Sequence, residues 1–357
     1  MRQTIPIAAA LLLACGPALA QADDPVQRLK RRAEAYVPRF EVKPLERAPA
    51  WALEERAPLH TFVQLADIHW SPRTAGVLDE ALVYLNERVR PDLVVLTGDN
   101  ISPPITVERH RALAALLEER LPCPVVFGQG DNDTRHFALV FGSPDFSFDF
   151  GGVHFAYVAL DADTEGDGFG YLDPATHAWL AADLDAHRAR PALVLRHEPI
   201  APPTFISAAP LLATLLARDN VAAVIAGHLH SDLEARTGSI LHISAPGLGP
   251  NARHGLKEYR VFEDRIVVRT HERDEATGRY GFARKWQRID FPEGTSVRPP
   301  AEGARPALTG LVRRDGKETR FPDSLRRARD LGLDGARSVL RRLEALRDRL
   351  GGGGGGD

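Results

Sequence analysis

Three aspartates and four histidines stand out for where they fall. Asp67 and His69 form a D-x-H pair, Asp99 sits in Gly98-Asp99-Asn100, and Asp131 in Gly130-Asp131-Asn132-Asp133. His197 lies in Arg196-His197-Glu198-Pro199, and His228 and His230 lie in Gly227-His228-Leu229-His230. Carboxylates and imidazoles are costly to gather in one cleft, because like charges repel and burial penalises each of them. Divalent cations remove that penalty. Three Asp and four His suffice for two ions with one Asp shared, and mixed nitrogen and oxygen donors suit Mn, Fe, Co, Ni or Zn better than Ca or Mg. Gly98, Gly130 and Gly227 let the backbone turn sharply beside such ions. Singly, each motif is weak; their order along the chain makes them a set.

The elements that must position them follow from the apolar runs. Residues 59–66 read as a strand ahead of Asp67, 92–97 as a buried strand ahead of Gly98, and 124–127 as a strand ahead of Gly130. Residues 192–195 precede His197, and 221–226 precede Gly227 in the same way. Val77, Leu78, Ala81, Leu82, Leu85 and Val89 recur at helical spacing, and helices are predicted over about 106–121 and over 174–190, the latter opened by Pro174. Residues 153–160 form a further strand, and 239–244, 259–263 and 265–270 read as closing strands. Strand–helix alternation followed by consecutive strands predicts an α/β sandwich with helices outside. In open α/β sheets, sites collect beyond the carboxyl ends of the strands, where each of these motifs falls.

The whole chain narrows the options. Its 357 residues are 44% hydrophobic and 26% charged, which supports one large core or two modest ones. With 45 Lys and Arg against 48 Asp and Glu, the formal charge is −3, so no global positive field suits a nucleic acid. Cys15 and Cys123 are too few for a disulfide framework or a cysteine-rich metal knuckle. Residues 1–20 read as a signal peptide: Arg2, an apolar run, the Gly16-Pro17 break, then Ala18-Leu19-Ala20 before Gln21. This predicts an exported protein, periplasmic or secreted. The alternative is a lipid anchor through Cys15 in Leu12-Leu13-Ala14-Cys15. Residues 21–58 read as a lead-in that wraps the domain, 59–272 as the domain bearing the motifs, and 273–300 as a connecting segment. Residues 301–350 read as a basic amphipathic helical extension and 351–357 as a flexible glycine tail. Val339, Leu343, Leu346 and Leu350 form one apolar stripe on an arginine-rich stretch. Residues 324–350 therefore pack on their own domain, stand out as a solvated appendage, or contact an anionic surface or partner helix.

At FVQLADIHWS, PDLVVLTGDN and PVVFGQGDND, followed by His197 and Gly227-His228-Leu229-His230, the chain resembles the calcineurin-like metallophosphoesterase family. That family's pattern is D-x-H, G-D, G-N-H-D/E, H, then G-H-x-H, and the resemblance covers about 59–272. It implies a four-layer α/β/β/α sandwich, here with a C-terminal helical extension. It also implies hydrolysis of phosphomonoesters or phosphodiesters by a metal-bridging hydroxide, at two divalent or mixed-valence transition metal ions (Mn, Fe, Zn, Co or Ni). By resemblance, one ion would take Asp67, His69, Asp99 and His230, and the other Asp99, Asp131, His197 and His228. The alternative is a metal-binding scaffold of the same fold with little turnover.

Two departures bear on the chemistry. Asp131 stands where the family has Asn and adds a negative charge. Asn132 stands where the family has a His that assists the leaving group or substrate. A second register would set Gln129 and Gly130 at those positions; the first keeps Gly130 and Asp133 in place. Asn132 cannot act as an acid, and general acid help is typically worth about 10²–10⁴-fold. Asn132 and Asp133 are the candidate catalytic residues of this motif, with His136 as a replacement acid and His154 and His242 as further candidates. The neighbours of position 100 lack the Tyr seen in purple acid phosphatases, which argues against a tyrosinate–iron(III) centre.

Overall fold

A computed structural model describes residues 38–310, apart from 54–55, 73, 134–135, 161–171, 173 and 206. The chain divides into two units, Met1–Leu311 and Val312–Asp357. The leader, the arginine-rich stretch 311–350 and the glycine tail lie outside the described residues. Among the described residues, no helix is long and apolar enough to cross a membrane.

The first sheet is built on three parallel strands, β1 (His60–Leu65), β2 (Leu93–Thr97) and β3 (Val125–Gly128). The second contains β4 (Phe146–Phe150), β5 (Val153–Tyr157), β6 (Ala192–Leu195), β7 (Val221–Ala226), β8 (Leu233–Thr237) and β9 (Ile240–Ser244). The chain then returns to the first sheet with antiparallel β10 (Gly255–Val261), β11 (Arg265–Asp274) and β12 (Arg279–Asp290), and closes on the second with β13 (Thr309–Gly310). The strand orders are β12-β11-β10-β1-β2-β3 and β13-β4-β5-β6-β7-β9-β8.

Burial on both faces of these strands explains their near-continuous apolar runs. Alternate residues point to opposite faces. Phe62, Leu93 and Val95 of the first sheet meet Phe155, Tyr157, Leu193 and Ile225 of the second in the core between them. Phe62 stacks on Tyr259 at 4.4 Å and meets Phe155 edge-on at 5.3 Å, which joins the sheets through one aromatic cluster. The intervening residues Val63, Leu65, Val94 and Leu96 face α1 (Ala75–Tyr84) and α2 (Val107–Arg120), together with Phe137 of α3 (Phe137–Phe141). On the far side Ala156, Val194 and Val224 pack under α4 (Pro174–Ala186) and α5 (Ala208–Leu216). The result is the α/β/β/α sandwich expected from the sequence.

Several boundaries move. The 273–300 stretch is not a connector: β12 pairs along β11, and Phe291 and Val297 pack against the inter-sheet core. The domain therefore runs past residue 272. Residues 301–310 are not helical, and Thr309 and Gly310 pair with Ser147 and Phe146 of β4. The helix expected to reach 190 ends at Ala186, and the strand expected at 259–263 begins at Gly255. Ahead of β1, Val42 donates its N–H to Asp232 O at 2.9 Å, and Ala52 packs on Phe262 and Val267 of the first sheet.

Candidate metal centre

All seven singled-out residues sit just beyond the carboxyl ends of parallel strands β1, β2, β3, β6 and β7. Five of them hold left-handed backbone: Asp67 (φ 48°), His69 (44°), Asp99 (53°), His228 (70°) and His230 (48°). Such conformations cost on the order of 1 kcal/mol or more each and persist where the surroundings over-determine them. Here the loops brace one another. Asp67 N–H bonds to Gly98 O at 3.0 Å, His69 N–H to Asp99 O at 2.9 Å, and Gly227 N–H to His197 O at 2.9 Å. His228 N–H reaches the Asp67 carboxylate at 3.0 Å. The approach at Gly130 is close enough to exclude any side chain, since a Cβ there would lie 2.2 Å from Asp99 N.

The side chains converge. Ligand-capable atoms of Asp67, His69 and His230 lie within 4.8 Å of one another, as do those of Asp131, His197 and His228 and those of Asp67, Asp99 and His197. His197 Nε2 lies 3.0 Å from Asp131, 3.4 Å from Asp99 and 3.9 Å from Asp67. His69 Nε2 lies 3.4 Å from Asp99, and His230 Nε2 lies 3.5 Å from Asp67. His228 Nδ1 faces His197 Nε2 at 3.3 Å and Asp131 at 3.8 Å. The His230, His69 and His228 side chains are 26%, 17% and 14% exposed, so they form the open side of the cluster.

The electrostatics carry a surplus of negative charge. Burial disfavours a charged His197, but Asp99, Asp131 and Asp67 outweigh it and hold its pKa well above the ordinary value. Burial pushes Asp131 up, and its hydrogen bonds to His197 and His228 overcome that and hold it well below the carboxylate range. Asp67 is likewise lowered despite burial, chiefly by His230.

The donor set fits a pair of cations. His197 Nδ1 lies 2.8 Å from Thr97 O, an acceptor only, so one ring proton sits there and Nε2 is the nitrogen turned to the carboxylates. A cation bound among those carboxylates would take the place of the Nε2 proton and offset their charge. A carbonyl that fixes the second ring nitrogen is also the usual outer partner of a metal-bound His.

The expected catalytic residues behave differently. Asn132 donates Nδ2 to Asp99 Oδ2 at 2.5 Å and its backbone N–H to Asp99 Oδ1 at 3.0 Å, so it orients that carboxylate. Asp133 is fully buried and accepts from Asn100 N and Nδ2 and from Gly130 N. It ties the second motif to the third and corrects the expectation of a direct catalytic part. Burial, with Asp99 nearby, raises its pKa to about 7. His136 precedes α3 without capping it through its side chain, and its charge neighbours include His110 and Glu108 of α2. No hydrogen bond or ion pair joins His136 to the cluster among the described residues. His154 is bound by Asp149 and Asp183 instead, and His242 is buried with neither ring nitrogen partnered. Sequence reasoning missed Thr97, whose carbonyl orients His197, and Gly249, where a Cβ would meet His69 Cδ2 at 2.6 Å. Neither carries a side-chain signal, since one acts through its backbone and the other through having no side chain.

The calcineurin-like phosphoesterase family model matches residues 60–232. No curated protein matches the chain in sequence. Among solved structures, the chain is similar to a dimetal phosphatase from Danio rerio, at 16% identity over 66% of this chain and 99% of that one, with a TM-score of 0.50. It is also similar to GAP50, the anchor in the inner membrane complex of Plasmodium, at 13% identity over 66% of this chain and 91% of that one, with a TM-score of 0.53. The family match runs from β1 through the Gly227-His228-Leu229-His230 loop, so it takes in every strand end that carries the seven residues. Residues 60–232 thus match the calcineurin-like phosphoesterases, metal-dependent hydrolases of phosphoric esters.

Proposed function

We propose that the chain is an exported two-metal hydrolase of phosphomonoesters or phosphodiesters. Asp67, His69, Asp99 and His230 would hold one ion, and Asp99, Asp131, His197 and His228 the other. The observation that carries this reading is the convergence of the three carboxylates and His197 Nε2 at 3.0–3.9 Å. Nitrogen and oxygen donors favour Mn, Fe, Co, Ni or Zn. When bound, such ions polarise phosphoryl oxygens and make a nucleophile available near neutral pH. Export rests on the leader read in residues 1–20.

The chain's own residues orient the chemistry. Asn132 holds Asp99 in place, and the outer bond to Thr97 O aims His197. The partly exposed faces of His69, His228 and His230 set the side from which a phosphate enters. Asn132 offers no acid, so the leaving group departs without a proton from this position. Esters with good leaving groups are the substrates this arrangement favours.

The test is a metal-titrated assay of the exported chain with an aryl phosphomonoester, an aryl phosphodiester and a cyclic nucleotide side by side. The expected result is metal-dependent turnover, fastest on aryl esters, that falls on the order of 10³-fold in Asp99→Ala. Equal rates in the two proteins would reject the assignment. Asn132 favours a second reading, a metal-binding scaffold with little turnover; metal bound without hydrolysis of any aryl ester would support it.

A further inference from the structure

The loop that carries His228 and His230 is gripped from the other sheet. It leaves β7 at Gly227 and enters β8 after Asp232. Its start is fixed by the bonds from Gly227 N and His228 N described above. Its end is fixed by Asp232, which is 2% exposed. Asp232 Oδ1 accepts from Lys257 Nζ at 2.6 Å, and Oδ2 accepts from Thr270 Oγ1 at 2.7 Å. Lys257 is fully buried and spends its other donors on Gln287 Oε1 at 2.6 Å and Thr270 Oγ1 at 3.1 Å. Gln287 Nε2 reaches on to Leu233 O at 3.3 Å. Lys257, Thr270 and Gln287 come from β10, β11 and β12, three adjacent strands of the first sheet. They continue the inward-facing rows that carry Tyr259, Val268 and Ile289 in the apolar core.

A lysine–carboxylate pair at core positions is poor evidence of stability, because apolar replacements of similar volume are often neutral or stabilising. What it supplies is a fixed position. The segment it ends needs one, since His228 and His230 both hold left-handed backbone, which persists only where several contacts determine it. We propose that Asp232 and Lys257 are positioning residues of the metal centre: the tether across the sheets holds His228 and His230 where they can ligate. This inference rests on the reading of the seven residues as ligands. Lys257 and Asp232 act on the ions through the loop and touch neither ion nor substrate.

The test compares the full chain with Lys257→Met, Asp232→Leu and the double variant, using zinc titrated against a chromophoric chelator. Thermal unfolding of each metal-free protein is measured alongside. Each single variant strands a buried charge and is expected to lower the unfolding midpoint. The double variant removes both charges and is expected to recover it. Zinc affinity separates the two roles. The tether predicts that the double variant, though as stable as wild type, still binds zinc about 10–100-fold more weakly, as loss of outer-shell support does elsewhere. Wild-type zinc affinity in the stable double variant would overturn the proposal. A wild-type chain holding fewer than two zinc ions would overturn the ligand reading and the tether with it, a failure distinct from equal affinities.

Discussion

Aspartates and histidines gather at both ends of the strands, and the two gatherings differ in kind. At the amino ends, His154 lies between Asp149 at 2.9 Å and Asp183 at 2.8 Å. His187 stacks on it at 3.8 Å and bonds through Nδ1 to Asp183 O at 2.7 Å. Ser147 donates to Asp183, and Arg190 clasps Asp149. Ligand-capable atoms of Asp149, His154 and His187 also lie within 4.8 Å, so proximity does not separate the two clusters. Closure and strain do. The amino-end network satisfies its carboxylates with its own donors, and none of its residues has positive φ. At the carboxyl ends, five residues hold left-handed backbone, and carboxylates outnumber the donors around His197 Nε2. The same residue types thus make a structural knot at one end and a candidate cation site at the other.

Substitution should separate the ends most sharply through activity. His228→Ala is expected to lower phosphoesterase turnover on the order of 10²–10³-fold. His154→Ala should leave turnover per folded chain within about twofold and instead destabilise the fold by about 3 kcal/mol, by leaving Asp183 short of a partner. Rates at saturating metal, set beside urea unfolding, read both; equal activity losses would erase the distinction.

Acid probes the buried histidines outside the carboxyl-end cluster. His60 lies against Gly151 of the β4–β5 turn, and burial lowers its pKa to about 4, as burial does for His242. An unfolded His titrates near 6.5, so between those values the unfolded chain binds more protons. Stability is then full above pH 6.5 and lost as pH falls toward 4, by about 3 kcal/mol for each such His. Chemical unfolding of His60→Leu should lose correspondingly less between pH 6.5 and 4 than wild type. Parallel losses would remove His60 from the account. The smallest effect is expected at Asn132→Ala, where losing the grip on Asp99 should weaken metal binding about tenfold with little change in the unfolding midpoint.

Much of the site was legible because its residues follow apolar runs that can only be buried strands. The runs 92–97, 192–195 and 221–226 offered no polar face, and the motifs beyond them had to share an edge. What escaped was one-sided or acted through backbone. β12 alternates the buried polar Lys285 and Gln287 with the half-buried Trp286 and Arg288, so its composition reads as a connector. Its pairing with β11 is a long-range fact that no local period carries. β8 is a sheet edge with Glu234 and Arg236, and α5 is too uniformly apolar to show a helical stripe. Asp133 looked like a reacting group because it sits in the motif. Only its burial against Asn100 and Gly130 shows that it joins loops.

On the reading proposed above, the carboxyl-end cluster, and not its amino-end counterpart, holds the ions. Counting metal per chain after dialysis, by elemental analysis, tests it directly in wild type, Asp99→Ala and His187→Ala. Two ions are expected in wild type, two in His187→Ala, and a clear loss in Asp99→Ala. A full complement in Asp99→Ala, or a loss confined to His187→Ala, would contradict it.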